Sequence, residues 1–332
     1  MTRKDADTRD AAEEWKRSAE RKASLKAARA TDEENAGPTR STRIKDFAYK
    51  KTPQKLKNAT DLQVRFRTGA IYVTLCIVCI LVSDISTLVF LCATAGICAG
   101  EFYYMLRADA KLPNEMLGII AAMLYPVSVY FLGVVGALYV SIALLLSLIV
   151  WYVFWLRARV PDVGVSFFGA AYTGLLLSGI VVVRTALPDP WGGVLVIGIF
   201  LSIWANDSFA YLVGSKIGKH KMAPVLSPNK TIEGAIGGIL GGTLLCVFAA
   251  FLASVLVPGE NLYEGFIVIG IVGSIIGMVG DLAASAIKRN HGIKDYGKVI
   301  PGHGGIMDRF DSIIFTAPVI YTLGVLFLAV LR

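Results

Sequence analysis

Carboxylates, cations and a hydroxyl recur at helical spacing after the apolar run that ends at Gly280. Asp281 and Ser285 are four residues apart, so on a helix both point to one face, and Lys288 and Arg289 follow a turn later. Asp281 by itself is equally compatible with a structural carboxylate that pairs with one of these cations. Its spacing alone therefore leaves a structural ion pair and a ligand site as open alternatives.

A second acidic pair precedes the last apolar run. Asp308 and Asp311 are three residues apart, and a helix beginning there would aim both carboxylates the same way at its positive N-terminal end. Three carboxylates and the Ser285 hydroxyl are hard oxygen donors, which suit Mg²⁺ better than zinc, because zinc favours His and Cys. With Asp308 and Asp311 present, metal binding becomes the favoured interpretation of Asp281.

The stretch between the two acidic groups is rich in cations and glycine. Lys294 and Asp295 are followed by Pro301-Gly302-His303-Gly304-Gly305, whose glycines let backbone N–H groups approach an anion. His303 is assigned to loop geometry or a phosphate contact, because a phosphate monoester is largely ionised near neutral pH and needs no general base. Metal, cations and open backbone together predict chemistry on polyphosphates.

A third motif lies upstream, where Ser227-Pro-Asn-Lys230-Thr231 follows a basic loop. A helix begins after it, and the first turn of that helix carries Glu233. Lysine and hydroxyl groups at a helix N-terminus can bind phosphate, and helix capping is the alternative explanation of the same residues. Taken alone, the motif favours capping.

Together these motifs resemble the signature of the phosphatidate cytidylyltransferase family, also called CDP-diacylglycerol synthases. The resemblance covers roughly the C-terminal half of the chain, while the N-terminal half is similar only in being hydrophobic. It rests on Ser285-x2-Lys288-Arg289-x4-Lys294-Asp295-x-Gly297-x3-Pro301-Gly302-His303-Gly304-Gly305-x2-Asp308-Arg309-x-Asp311, on Trp204-Ala205-Asn206-Asp207-x2-Ala210-Tyr211, and on Ser227-Pro228-Asn229-Lys230-Thr231-x-Glu233-Gly234.

The resemblance implies a nucleotidyltransferase of phospholipid biosynthesis that converts CTP and phosphatidic acid into CDP-diacylglycerol and pyrophosphate. It implies Mg²⁺, with a second cation as an open alternative. The expected catalytic residues are Asp281, Lys288, Arg289, Lys294, Asp308, Arg309 and Asp311. The expected metal ligands are Asp281, Ser285, Asp308 and Asp311. The residues expected to contact CTP are Ser227, Lys230, Thr231, Lys294, His303, Gly304 and Gly305, with Asp207 and Asp295 in supporting roles.

The elements that must position these residues are membrane-spanning helices. A chain of 332 residues that is 55% hydrophobic, with a mean hydropathy of +0.60, is too apolar for a soluble domain of this size. The apolar runs predict an all-α polytopic membrane protein of about nine helices. The expected spans are at about 69–83, 85–106, 116–133, 134–156, 166–183, 191–213, 232–257, 264–287 and 312–331.

The distribution of charge predicts the orientation of these spans. If the basic N-terminus is cytosolic, nearly all basic residues between spans also fall on the cytosolic side, as the positive-inside rule requires. Glu101, Asp207 and Asp281 then lie near the cytosolic ends of their spans, and Glu233 and Asp311 open spans that start there. Charges in a bilayer usually face a partner or a water-filled cavity. The sequence thus predicts a polar funnel open to the cytosol, in a bacterial inner membrane.

Three regions follow from this pattern. Residues 1–60 are predicted to form a charged and mostly disordered cytosolic extension, 61–190 the N-terminal helices, and 191–332 the catalytic membrane domain. The glycine string Gly237, Gly238, Gly241 and Gly242 lies in mid-span, which predicts a close helix–helix contact rather than a nucleotide loop. The expected partners are CTP, phosphatidic acid and membrane lipids, with a second copy of the chain as a further candidate and no nucleic acid.

Three other functions share some of these features. A transporter would also bury carboxylates, but near the membrane midplane and with access from both faces. CDP-alcohol phosphotransferases also join lipids to metal-bound CDP groups, and their DGxxAR run with two later aspartates is absent from this sequence. A CTP-dependent lipid kinase would share both the funnel and the nucleotide. The fate of labelled CTP separates these alternatives.

Overall fold

The computed structural model describes residues 54–107, 113–187, 190–256, 263–297, 299 and 304–330. Within these ranges the chain is almost entirely helical. The helices, in chain order, are α1 (Gln54–Val82), α2 (Asp84–Arg107), α3 (Glu115–Leu132), α4 (Val134–Phe154), α5 (Val160–Ala170), α6 (Gly179–Thr185), α7 (Trp191–Ile217), α8 (Ile232–Leu256), α9 (Tyr263–Asn290) and α10 (Met307–Val330).

The helices agree with the predicted membrane spans. The π-helical turn Ala171–Leu175 lies between α5 and α6, and the segment Val160–Thr185 is long enough to cross a membrane as one unit. It is one of seven such segments in the described residues, and the apolar part of α1, Arg67–Val82, is shorter. With α10 these make nine helical segments among the described residues, in the predicted order. The prediction of an all-α polytopic membrane protein is confirmed.

Large apolar side chains cover the outside of the helix bundle. On α4, for example, Leu138 is 57% exposed, Leu146 58% and Phe154 81%. A contiguous apolar surface of this kind would be unfavourable in water, whereas acyl chains satisfy it, and helices satisfy their own backbone hydrogen bonds. The protein is therefore an integral membrane protein.

Glycines bring the C-terminal helices close together, as predicted. A Cβ atom at Gly238 would lie 2.8 Å from the backbone oxygen of Asn206 on α7, and a Cβ at Gly242 would lie 3.1 Å from that of Ser202. On the other side of α8, a Cβ at Gly270 of α9 would lie 2.6 Å from the Thr243 Cα. The glycine string is thus a helix–helix contact, which excludes the nucleotide-loop alternative for these residues.

The basic loop predicted between α7 and α8 contains a small antiparallel hairpin. Strands β1 (Lys221–Ala223) and β2 (Ser227–Thr231) pair with Lys221 opposite Thr231 and Ala223 opposite Ser227. The carboxylate of Glu233 accepts a hydrogen bond from the Lys219 N–H at 3.1 Å and lies 2.6 Å from the His220 Nδ1. This hairpin fixes the approach of Lys230 to the helix bundle.

The predicted boundaries of the three regions lie close to, but not at, the ends of helices. Helix α1 already begins at Gln54, before the predicted end of the extension at residue 60, and residues 1–53 lie outside the described residues. Buried side chains from both sides of residue 191, such as Leu177 and Ile199, belong to one apolar cluster. The division into an N-terminal and a catalytic membrane domain at residues 190 and 191 stays a prediction.

Candidate active site

Helices α9 and α10 cross at the point where the predicted acidic residues lie. A Cβ at Gly280 would lie 2.9 Å from the backbone oxygen of Asp311 and 3.1 Å from the Ser312 Cα. Asp281 follows Gly280 directly, so the crossing brings Asp281 and Asp311 next to each other from helices that run in opposite directions. Ser285 lies one turn further along α9 and is buried.

Lys288 lies between the two acidic residues of α10. Its Nζ donates to Asp308 Oδ1 at 2.9 Å and lies 3.8 Å from Asp311 Oδ2. It is 7% exposed, and the Tyr296 ring centroid lies 5.3 Å from the ammonium group. A buried ammonium group requires such partners, because an unpaired charge away from water is costly. The lysine predicted for catalysis is thus held between two carboxylates.

Asp308 also organises the loop that leads into α10. Its Oδ2 accepts hydrogen bonds from the Tyr296 N–H at 2.9 Å and from the Gly305 N–H at 3.0 Å. Gly304 has a φ of +86°, a conformation that favours glycine, and a Cβ there would lie 3.2 Å from Asp308 Oδ2. Burial raises the pKa of the Tyr296 phenol, which stays protonated and donates to the Ala284 carbonyl at 3.3 Å.

Lys230 reaches the same site from the hairpin. Its ammonium group forms an ion pair with Asp281. The lysine also lines a cavity of about 180 Å³ between α7, the hairpin and α8, whose polar lining includes Asp207, Asn206 and Asn229. The upstream motif and the acidic helix ends therefore meet, although they are about fifty residues apart in the sequence. Thr231, which was predicted to contact CTP, caps the start of α8, because its Oγ1 accepts a hydrogen bond from the Gly234 N–H at 3.1 Å.

Other predicted site residues bond to the backbone or are exposed. Arg289 donates from Nη1 to the Ile293 carbonyl at 2.9 Å, which gives it a role in the loop after α9. Lys294, Asp295 and Arg309 are exposed, and Ser227 in β2 is half-buried. His303 lies outside the described residues, so its predicted phosphate contact stays a prediction.

Glu101 on α2 contacts the start of α10, which the sequence did not predict. The sequence placed it near the charged ends of the spans, and the structure shows it to be 7% exposed. Its carboxylate accepts hydrogen bonds from the Met307 N–H at 2.9 Å and from the Ile306 N–H at 3.2 Å, at the start of α10. Its position in a span was the available signal, but its partners are more than 200 residues away in the sequence.

The carboxylate oxygens of the site are of the type that binds magnesium, and in this structure they form ion pairs with Lys230 and Lys288. Among the described ranges, no group of three or more His, Cys, Asp or Glu side chains is arranged to hold a metal ion. Mg²⁺ is commonly bound by only one or two carboxylates together with water and substrate phosphates. Asp281 and Asp311, adjacent at the helix crossing, match that requirement. The four predicted metal ligands and the second cation stay predictions.

A larger groove lies elsewhere, between α2, α3 and α4. Its volume is about 740 Å³, and Trp151 and Trp155 line it beside an ion pair of Arg107 with Glu115. None of the predicted chemical residues contributes to it. We place the candidate active site at the ends of α7, α8, α9 and α10, because cations and carboxylates from separate helices meet there.

The fold and the site define a polytopic membrane protein with a cluster of carboxylates and lysines at one end of its helix bundle. A family model described as the cytidylyltransferase family matches residues 63–327, and this protein belongs to that family. A phosphatidate cytidylyltransferase of Bacillus subtilis (strain 168) is 30% identical over 272 residues, which cover 80% of this chain and 99% of the relative.

Two further relatives match this chain over shorter lengths at higher identity. The phosphatidate cytidylyltransferase of Staphylococcus haemolyticus (strain JCSC1435) is 44% identical over 121 residues, or 36% of this chain and 45% of the relative. That of Staphylococcus aureus (strain COL) is 46% identical over 123 residues, with the same shares. The family membership predicted from the signature is confirmed.

Proposed function

We propose that this protein is a phosphatidate cytidylyltransferase, which transfers CMP from CTP to phosphatidic acid and releases pyrophosphate. The observation that carries the proposal is the meeting of Lys230 and Lys288 with Asp281, Asp308 and Asp311 at one end of the bundle. The full-length similarity to a relative of that name supports the same substrates. A polar site at the ends of lipid-facing helices suits one soluble and one membrane-held reactant.

The reaction requires two highly negative reactants to approach each other. An oxygen of the phosphatidate phosphate attacks the α-phosphorus of CTP, the bond from that phosphorus to the bridging oxygen breaks, and pyrophosphate leaves with the electron pair. The attacking phosphate is already ionised, so no base has to remove a proton. Lys230 and Lys288 would exchange their carboxylate partners for phosphate oxygens, and Arg309 at the exposed edge would offset further charge.

The charge balance of the site favours a divalent cation. Within the ion pairs of the site, the three carboxylates of Asp281, Asp308 and Asp311 are matched by only two ammonium groups, those of Lys230 and Lys288. One carboxylate charge is therefore left for a cation to balance. Asp281 and Asp311 would hold Mg²⁺, with Ser285 and Asp308 as the other candidates. When bound, the ion would neutralise charge on the phosphate oxygens of both reactants.

The decisive experiment follows the label of CTP into lipid. Purified protein in phosphatidate-containing vesicles should transfer the label of [α-³²P]CTP to lipid. The label of [γ-³²P]CTP should instead be released as pyrophosphate. Transfer of a γ-label to lipid would instead identify a CTP-dependent lipid kinase. Failure of both labels to enter lipid would contradict the proposal and favour transport.

We also propose that the site faces the cytosol of a bacterial inner membrane. The support is the basic character of the loops at the same helix ends as the site. Val299 near the site and Leu187 at the other helix ends are both exposed, which makes them a matched pair for cysteine labelling. A membrane-impermeant thiol reagent should label Leu187→Cys in intact spheroplasts and Val299→Cys only in inverted vesicles. The opposite pattern would reverse the orientation.

Assembly with a second copy of the chain is a further proposal. Mass measurement of the purified protein in lipid nanodiscs, at several protein-to-disc ratios, should detect two chains per disc even when discs are in excess. Single chains with full transfer activity would contradict a required homodimer.

A further inference from the structure

Glu101 is a buried carboxylate that the proposed chemistry does not use. It lies on α2 (Asp84–Arg107), outside the three sequence motifs that predicted the site. Its two oxygens accept hydrogen bonds from two consecutive backbone N–H groups, Oε2 from Met307 at 2.9 Å and Oε1 from Ile306 at 3.2 Å. These N–H groups open α10, so a side chain from α2 caps the helix that carries Asp308 and Asp311.

Two glycines leave room for this carboxylate. A Cβ at Gly297 would lie 2.2 Å from Glu101 Oε1, and a Cβ at Gly305 would lie 2.4 Å from Oε2. Both distances are far shorter than van der Waals contact, so any other residue would displace the carboxylate or the loop. The loop on both sides of the undescribed residues 300–303 is thus fitted to the Glu101 side chain.

Glu101 and Asp308 together hold the backbone around the site. Asp308 accepts the N–H groups of Tyr296 and Gly305, while Glu101 accepts those of Ile306 and Met307. Asp308 in turn receives the Lys288 ammonium at 2.9 Å. A continuous set of contacts therefore leads from α2 through the start of α10 to the cation at the centre of the site.

We propose that Glu101 is a positioning residue, which fixes the start of α10 so that Asp308 and Lys288 stand in register with the reacting phosphates. Glu101 does not itself touch either substrate, because its oxygens are occupied by backbone N–H groups. This inference rests on the proposed function for its kinetic consequence. Its structural consequence, the immobilisation of residues 304–307 by α2, does not depend on that function.

The central test is Glu101→Gln in the purified full-length protein. Glutamine has the same shape, but its amide NH₂ must face one of the two backbone N–H groups, so one hydrogen bond is lost and replaced by repulsion. A misplacement of about 1 Å at reacting groups costs on the order of 100-fold in rate. We expect kcat to fall about 10- to 100-fold, while KM for CTP and for phosphatidate each stay within about threefold, since binding in the ground state is largely kept.

The matched control is Glu264→Gln, since Glu264 is exposed in the first turn of α9, at the other end of that helix. It should retain the wild-type kcat. A second variant, Gly297→Ala, displaces the Glu101 carboxylate from the opposite side and should also lower kcat. The double variant should lose less than the product of the two single losses, because both act on one contact.

Amide hydrogen exchange separates positioning from general destabilisation. In Glu101→Gln, peptides that cover residues 304–307 should exchange faster, while peptides from α7 and α8 keep the wild-type rate. A kcat within twofold of wild type, multiplicative losses in the double variant, or faster exchange throughout the helices would each overturn the proposal. If the wild type transfers no CMP, the proposed function fails, and the exchange result alone decides whether Glu101 holds the loop.

Discussion

At the scale of single residues, the site is a set of ion pairs between carboxylates and lysines. Each predicted carboxylate already has a cationic partner, Lys230 for Asp281 and Lys288 for Asp308 and, more distantly, Asp311. Such pairs keep buried charges satisfied before substrates arrive, and they supply ammonium groups that can turn to phosphate oxygens. Asp308 differs from the other two because it also holds the loop through two backbone N–H groups.

The first residue-scale prediction concerns Asp308→Asn. The remaining side-chain oxygen can still accept the backbone N–H groups, but the new NH₂ then faces the Lys288 ammonium, which loses its 2.9 Å partner. We expect transfer of α-label to fall at least about 100-fold. The melting temperature should also fall, because the buried Lys288 keeps only the Asp311 carboxylate at 3.8 Å, while the gel-filtration profile of the folded protein is kept. Near-normal transfer by the folded variant would contradict the role of Asp308.

The second residue-scale prediction concerns the metal. Chelation by EDTA should abolish transfer, and added Mg²⁺ should restore it. Asp281→Ala should raise the Mg²⁺ concentration for the half-maximal rate by roughly tenfold or more, whereas Glu264→Gln should leave it unchanged. Full activity in EDTA, or an unchanged Mg²⁺ requirement in Asp281→Ala, would show that Asp281 is not a ligand.

At the scale of elements, glycines determine how closely the helices that carry the site approach each other. Gly280 allows α9 to cross α10 beside Asp281 and Asp311, and Gly238 and Gly242 do the same between α8 and α7. The motif residues occupy helix ends, so a small change in a crossing would separate groups that must act on one phosphate. The predicted spans and glycine contacts agree with the structure, because apolar length and small-residue spacing are local properties of the sequence.

A pair of glycine substitutions on α9 tests this relation. Gly280→Ala places a methyl group 2.9 Å from the Asp311 carbonyl oxygen, so it should cost about 1–3 kcal/mol of stability and lower transfer strongly. Gly265→Ala is the control on the same helix, since nothing lies within 4 Å of its Cβ. It should be neutral or slightly stabilising. Thermal denaturation in detergent and initial rates measure both, and equal behaviour of the two variants would contradict the packing argument.

At the scale of the whole molecule, buried charges lie at both ends of the helix bundle, but only one end carries the candidate site. The site gathers at one end, while at the other end Arg184 of α6, which is 2% exposed, pairs with Asp84 at the start of α2 at 2.6 Å and donates to the Ile80 carbonyl at 3.1 Å. This ion pair joins the first two helices to α6 without contributing to the chemistry.

The ion pair gives an asymmetric prediction. Asp84→Asn leaves a buried arginine without its carboxylate, and removal of one partner of a buried pair costs about 3–5 kcal/mol. Arg184→Met leaves Asp84, whose side chain is 35% exposed, in contact with water, so it should cost less. Melting temperatures should rank wild type, Arg184→Met and Asp84→Asn in descending order. The reverse order of the two variants would show that Arg184 is satisfied by its other contacts.

The sequence by itself determined the membrane helices, their order, the family and the residue types of the site, because apolar run length and the charged signature are local patterns. It could not determine the hairpin that carries Lys230, the second role of Asp308 in the loop, or the partners of Glu101. Those contacts join residues up to 206 positions apart. Only the packing of helices brings such residues together, since no local pattern records which distant backbone N–H a buried carboxylate will accept.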